Sequence, residues 1–138
     1  MVRTGTRWNL RCWWPVVLAH FVMLSGCDMP TAPPDYIVGY AAEGTREGMS
    51  ITVSTPIGTE QHKVGANFAS PLYTFHSGEH AYISAQNQGA GGKVTVRLVY
   101  RRTGLKPVKL ETTSTGGASI ATVSWLVGDE TPRSGAFP

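Results

Sequence analysis

The feature that most constrains this chain is a ten-residue run, Lys93 to Arg102, in which apolar residues recur at every second position. Val94, Val96, Leu98 and Tyr100 fall on one side, and Lys93, Thr95, Arg97 and Arg101 on the other. A period of two gives a β-strand one buried face, whereas on a helix it would scatter the apolar residues around the axis. The pattern recurs. Met49, Ile51 and Val53 alternate with Ser50, Thr52 and Ser54, and Tyr36, Val38, Tyr40 and Ala42 form another run. Leu72–His76, His80–Asn87, Val108–Thr113 and Ile120–Leu126 add four more. Glycine-, proline- and asparagine-containing stretches separate them, among them Gly44–Gly48, Pro56–Gly58 and Asn87–Gly92. No stretch carries an i, i+3, i+4 apolar pattern over three turns.

About seven short strands with frequent turns predict an all-β chain, an antiparallel immunoglobulin-like β-sandwich over residues 35–127. A closed barrel is the alternative. The outward Lys and Arg of the Lys93–Arg102 run suit the protection of an edge strand.

The N-terminus carries a different message. Arg3, Arg7 and Arg11 occur with no acid among them, an apolar stretch runs from Val16 to Leu24, and small residues then lead to Cys27. That order is a basic region, an apolar region and a cleavage site, which makes residues 1–26 a signal peptide. Leu24-Ser25-Gly26-Cys27 resembles the lipobox of bacterial lipoproteins. The resemblance implies a diacylglyceryl group on the Cys27 sulfur, cleavage before Cys27, and acylation, as with palmitate, of the freed amine. Several acyl chains hold firmly because each buried methylene contributes about 0.8 kcal/mol. The alternative is an uncleaved anchor. Membrane spans need roughly 20 apolar residues, and Val16–Leu24 supplies nine, with His20 among them.

Processing changes the charge balance. The formal charge of +3 loses Arg3, Arg7 and Arg11, leaving nine basic and nine acidic residues. A neutral domain lacks the electrostatic footprint of a nucleic-acid binder. Cys12 would leave with the signal peptide and Cys27 would be acylated, so the domain is expected to be held by its core without a disulfide. Residues 27–34 combine the lipidated cysteine with Pro30, Pro33 and Pro34, an extended spacer. Residues 128–138 show no apolar period and are expected to form a flexible tail.

The strands also carry recognisable blocks. Ser50-Ile51-Thr52-Val53-Ser54-Thr55-Pro56 precedes Gly58-Thr59-Glu60-Gln61. Tyr82-Ile83-Ser84-Ala85-Gln86-Asn87-Gln88-Gly89 and Val94-Thr95-Val96 follow, then Ser114-Thr115-Gly116 and Ile120-Ala121-Thr122-Val123-Ser124. In this order, over about Tyr36 to Leu126, they resemble the MmpS family of small envelope proteins and its lipoprotein-like relatives. The resemblance implies a β-sandwich facing the periplasm and partnership with an MmpL-type RND transporter; the lipobox alone leaves the periplasm or the exterior open. It supplies no catalytic motif. MmpS proteins are anchored by an uncleaved helix, whereas this chain carries a lipobox.

Other candidate chemistry is sparse. Glu60, His62, His76, Glu79 and His80 are the metal-capable residues, and His76-Ser77-Gly78-Glu79-His80 places two imidazoles beside one turn. A polar hairpin tip with solvated imidazoles is the favoured account of them, and no metal or other cofactor is expected. No Gly-x-Ser-x-Gly elbow occurs, and the aspartates that follow Cys27 lie at or outside the edges of the folded unit, so no enzyme is expected. Gln86–Gly92 is too glycine-rich for rigidity and is read as a hairpin loop. Trp125 is assigned to core packing. Arg97, Arg101, Arg102, Lys106 and Lys109 lie within an acid-free run and form the candidate partner-binding face, with a solvated face as the bland account. The expectation is an envelope lipoprotein, anchored through Cys27, acting as a non-catalytic interaction module and accessory to an RND-type exporter. The alternative is a stand-alone binder of sugar, lipid or metal. Whether the inner or outer membrane holds it is left open.

Overall fold

A computed structural model describes residues 35–137. The expected signal peptide (residues 1–26) and the expected lipidated Cys27 and spacer (residues 27–34) lie outside the described residues. Within these the chain is all-β, with ten strands in two antiparallel sheets. They are β1 (Asp35–Glu43), β2 (Met49–Thr55), β3 (Gly58–Val64), β4 (Asn67–Ala69) and β5 (Tyr73–His76), followed by β6 (His80–Asn87), β7 (Lys93–Arg102), β8 (Val108–Thr115), β9 (Ile120–Leu126) and β10 (Arg133–Phe137). One sheet runs β4-β1-β7-β8, with β5 also paired to β1; the other runs β10-β9-β6-β2-β3.

The alternation read from sequence determines what faces what. Val38, Tyr40 and Ala42 of β1 and Val94, Val96 and Leu98 of β7 are buried on the first sheet. Met49, Ile51 and Val53 of β2, Ala81, Ile83 and Ala85 of β6, and Ala121, Val123 and Trp125 of β9 are buried on the second. Together they form one core cluster between the sheets, the arrangement expected when each sheet has one apolar and one solvated face. The Tyr40 hydroxyl lies 3.2 Å from Ser54 Oγ on the opposing sheet. Trp125 packs in this core, stacked on Tyr100 at 3.8 Å between ring centres and edge-on to Tyr36. Its Nε1–H donates to the Asp129 carbonyl at 2.8 Å, which satisfies the one polar atom that burial would otherwise strand.

Three strands exceed the expected set. β3 reads Gly-Thr-Glu-Gln-His-Lys-Val, with no fully buried residue, and it forms by ladder pairing with β2 through the two-residue turn Pro56-Ile57. β4 is three residues long, and Pro71 separates it from β5, since proline cannot donate to the ladder. β10 corrects the expected flexible tail: Arg133–Phe137 pairs with Ile120–Ser124, extending the sandwich beyond residue 127. Backbone hydrogen bonds at a sheet edge need no apolar period, so the sequence pattern did not mark it.

β7 is a second correction. It is not an edge strand but lies between β1 and β8. Gln86–Gly92 is a third. It joins β6 of one sheet to β7 of the other, so it is a corner between sheets and not a hairpin loop. It is also well tied. Asn87 is 1% exposed, and its side-chain amide donates to the carbonyls of Gly91 at 2.9 Å and Gly116 at 3.0 Å. Its Oδ1 accepts from Thr45 Oγ1 at 3.0 Å and from the Gly89 N–H at 3.1 Å. One side chain thus pins three loops. Glycine permits their close approach: a Cβ on Gly117 would stand 2.5 Å from the Ala90 carbonyl oxygen.

Candidate functional site

The outward face of β7 carries the expected basic residues, and the register decides which remain available. Arg97 sits opposite Glu111 of β8 and diagonal to Glu43 of β1. Its guanidinium donates through Nε to Glu111 and through both terminal nitrogens to Glu43, with Nη2 to Oε2 at 3.1 Å. Lys109 Nζ donates to Glu111 at 3.3 Å. Two cations and two anions therefore form one neutral network across three strands. Hydrogen bonds from Arg97 hold the Glu43 and Glu111 carboxyls below the ordinary carboxylate range, Lys109 adding to the effect on Glu111. The same carboxylates raise the Arg97 guanidinium.

The other three residues differ. Arg101, Arg102 and Lys106 surround the tip of the β7–β8 hairpin and are exposed. None of them forms an ion pair among the described residues. The five expected residues thus separate into a neutralised pair on the sheet face and three uncompensated cations at the hairpin tip. Sequence reading grouped them because Glu43 lies 54 residues from Arg97 in the chain, and only the β1–β7 pairing brings it near.

The tip lies at a defined end of the sandwich. Tyr36, at the start of β1, pairs with Arg102, and Asp35 with His76. His80, at the start of β6, pairs with Leu126 at the end of β9. The Pro56-Ile57 turn, the Ser77–Glu79 turn, the β7–β8 tip and the β9–β10 loop consequently share the end at which β1 begins. The loops pinned by Asn87 share the opposite end.

The metal-capable residues do not converge. Among the described residues no group of three His, Cys, Asp or Glu side chains could hold an ion. His76 Nδ1 is 2.8 Å from Asp35 Oδ1, and the His76 backbone N–H donates to Glu79 at 2.7 Å. His62 approaches Glu60 at 3.3 Å and stacks obliquely near Phe68. His80 lines a depression of about 260 Å³ with Ser124, Leu126, Asp129, Thr131 and Arg133. Another, of about 400 Å³, lies among Glu47, Met49, Lys63, Val64 and Gln88. Both are edged by charged side chains and open to solvent, unlike the apolar enclosures that small ligands favour. Scans of protein-family models, of curated proteins and of solved structures returned no match to this chain.

Proposed function

We propose that this protein is a bacterial envelope lipoprotein, acylated at Cys27, whose β-sandwich acts as a non-catalytic interaction module accessory to an RND-type, MmpL-like exporter. The observation that carries the proposal is the Leu24-Ser25-Gly26-Cys27 sequence behind a basic, acid-free N-terminal region. The filled core, the solvent-open depressions and the three uncompensated cations at the β7–β8 tip support an interaction role over a small-ligand role. The exporter partnership rests on the MmpS-like wording of β2, β6, β7 and β9. Capture of the full-length acylated protein from detergent-solubilised membranes tests it. Recovery of an integral RND transporter, lost at high salt, is the expected result. Recovery of no such transporter overturns the accessory role and leaves a stand-alone lipoprotein.

A further inference from the structure

We propose that the β7–β8 hairpin tip is a membrane-contact loop, with Leu105 entering the headgroup region while Arg101, Arg102 and Lys106 bind lipid phosphates. The proposal rests on the lipoprotein reading and names the surface against which the anchored domain lies. Two independent features place the contact here.

The first is the distribution of exposed apolar side chains. Six large ones occur among the described residues, and Ile57, Leu105, Val108 and Leu126 all fall at the end where β1 begins. Ile57 is 95% and Leu105 63% exposed, each at a turn. The opposite end, with the loops held by Asn87, carries none of the six. An apolar side chain raised on a basic loop suits the bilayer interface, where the chain enters the acyl boundary and the cations stay with the phosphates.

The second is charge. Arg101, Arg102 and Lys106 flank Leu105 within six residues and have no acidic partner among the described residues. Acids do occur at this end, but most are engaged. Asp35 faces His76, Glu79 accepts from the His76 N–H, and Asp129 accepts from the N–H and hydroxyl of Thr131. Each cation near an anionic leaflet favours attachment by about fivefold. Tyr36 pairs with Arg102, so the chain leaves the domain beside the tip, and Cys27 lies eight residues before Asp35. An eight-residue segment spans at most roughly 30 Å, so an acylated Cys27 keeps the tip at high effective concentration above the bilayer. Docking at this end turns the loops pinned by Asn87 outward.

Photo-crosslinking with the full-length protein tests the proposal. A benzophenone-bearing phenylalanine is placed at Leu105 or, for comparison, at Gln88 on the opposite end. Each protein is reconstituted in vesicles of phosphatidylcholine with or without phosphatidylglycerol, and lipid adducts are read by mass. Position 105 is expected to give adducts that increase with phosphatidylglycerol, and position 88 few. Arg101→Glu, Arg102→Glu and Lys106→Glu together should lower the yield at 105 by about tenfold or more, with an unchanged melting temperature. Lysine at both arginine positions should retain it. Equal yields at 105 and 88, or an undiminished yield in the charge-reversed protein, would overturn the proposal. The mass of the Cys27 peptide from the same samples separates the two ideas. An acylated Cys27 without adducts at 105 refutes the contact loop alone, whereas adducts at 105 on an unacylated chain refute the anchor alone.

Discussion

Asn87 shows how much one side chain can organise. It is the last residue of β6, inside the Tyr82–Gly89 block that is the most distinctive wording in the chain. All four of its amide hydrogen-bonding positions are used by groups on three separate loops. Asn87→Ala removes those bonds and strands buried backbone groups, a loss of about 2–4 kcal/mol that chemical denaturation would read. Asn87→Asp should be nearly as harmful, since two donated bonds become repulsive. Ser119 presents the opposite case nearby. Its hydroxyl is buried and has no hydrogen-bond partner among the described residues. Ser119→Ala is therefore expected to raise stability, by about 1 kcal/mol, measurable as a higher melting temperature.

At the scale of the strand, β7 tests the register. Val96 is fully buried, whereas Val99 points outward and is 37% exposed. Val96→Asp places an unpaired charge in the core and should cost about 3 kcal/mol or more, while Val99→Asp should change stability by less than about 0.5 kcal/mol. Thr95, although outward, makes a poor surface control, because it is 6% exposed and its hydroxyl lies 2.9 Å from that of Thr113. The charge network on the same face sets an acid limit. Glu43 and Glu111 have folded-state affinities for protons below the ordinary value of 4.5. Their contribution is complete above that pH and disappears as pH falls through the depressed folded values. Melting temperature should therefore decline below about pH 4.5, and Arg97→Gln should flatten the decline. The opposite sign applies to Tyr40, whose phenol burial raises above 10.0. Its contribution holds below pH 10 and is lost as pH rises through the raised folded value.

The same elements show what the sequence could reveal. β6, β7 and β9 are legible to the residue because in each an apolar residue recurs at alternate positions and those positions are buried, even though β7 also buries outward Thr95 and exposes apolar Val99. β3 and β10 are not, because an edge strand of polar or short sequence is specified by its neighbour's backbone, and no pattern within it records that. The candidate site was legible as a cluster of cations and illegible as a geometry. Arg97 and Lys109 look identical to Arg101 and Lys106 along the chain, and only strand pairing shows that Glu43 and Glu111 neutralise the first pair.

For the whole molecule, the account joins two independent parts. In the proposed reading, the N-terminal region addresses the chain to the envelope and holds it by acyl chains on Cys27. The sandwich has two ends that differ, one with exposed apolar and basic groups beside the start of β1, the other with loops bound together by Asn87. The central claim is the acylated anchor, and it is tested most directly by metabolic labelling with palmitate of the parent and of Cys27→Ala. The account predicts label in the parent at a mass lacking residues 1–26, and an unlabelled, unprocessed Cys27→Ala chain. Equal labelling of the two proteins, or a parent that keeps residues 1–26 and takes up no label, would contradict it.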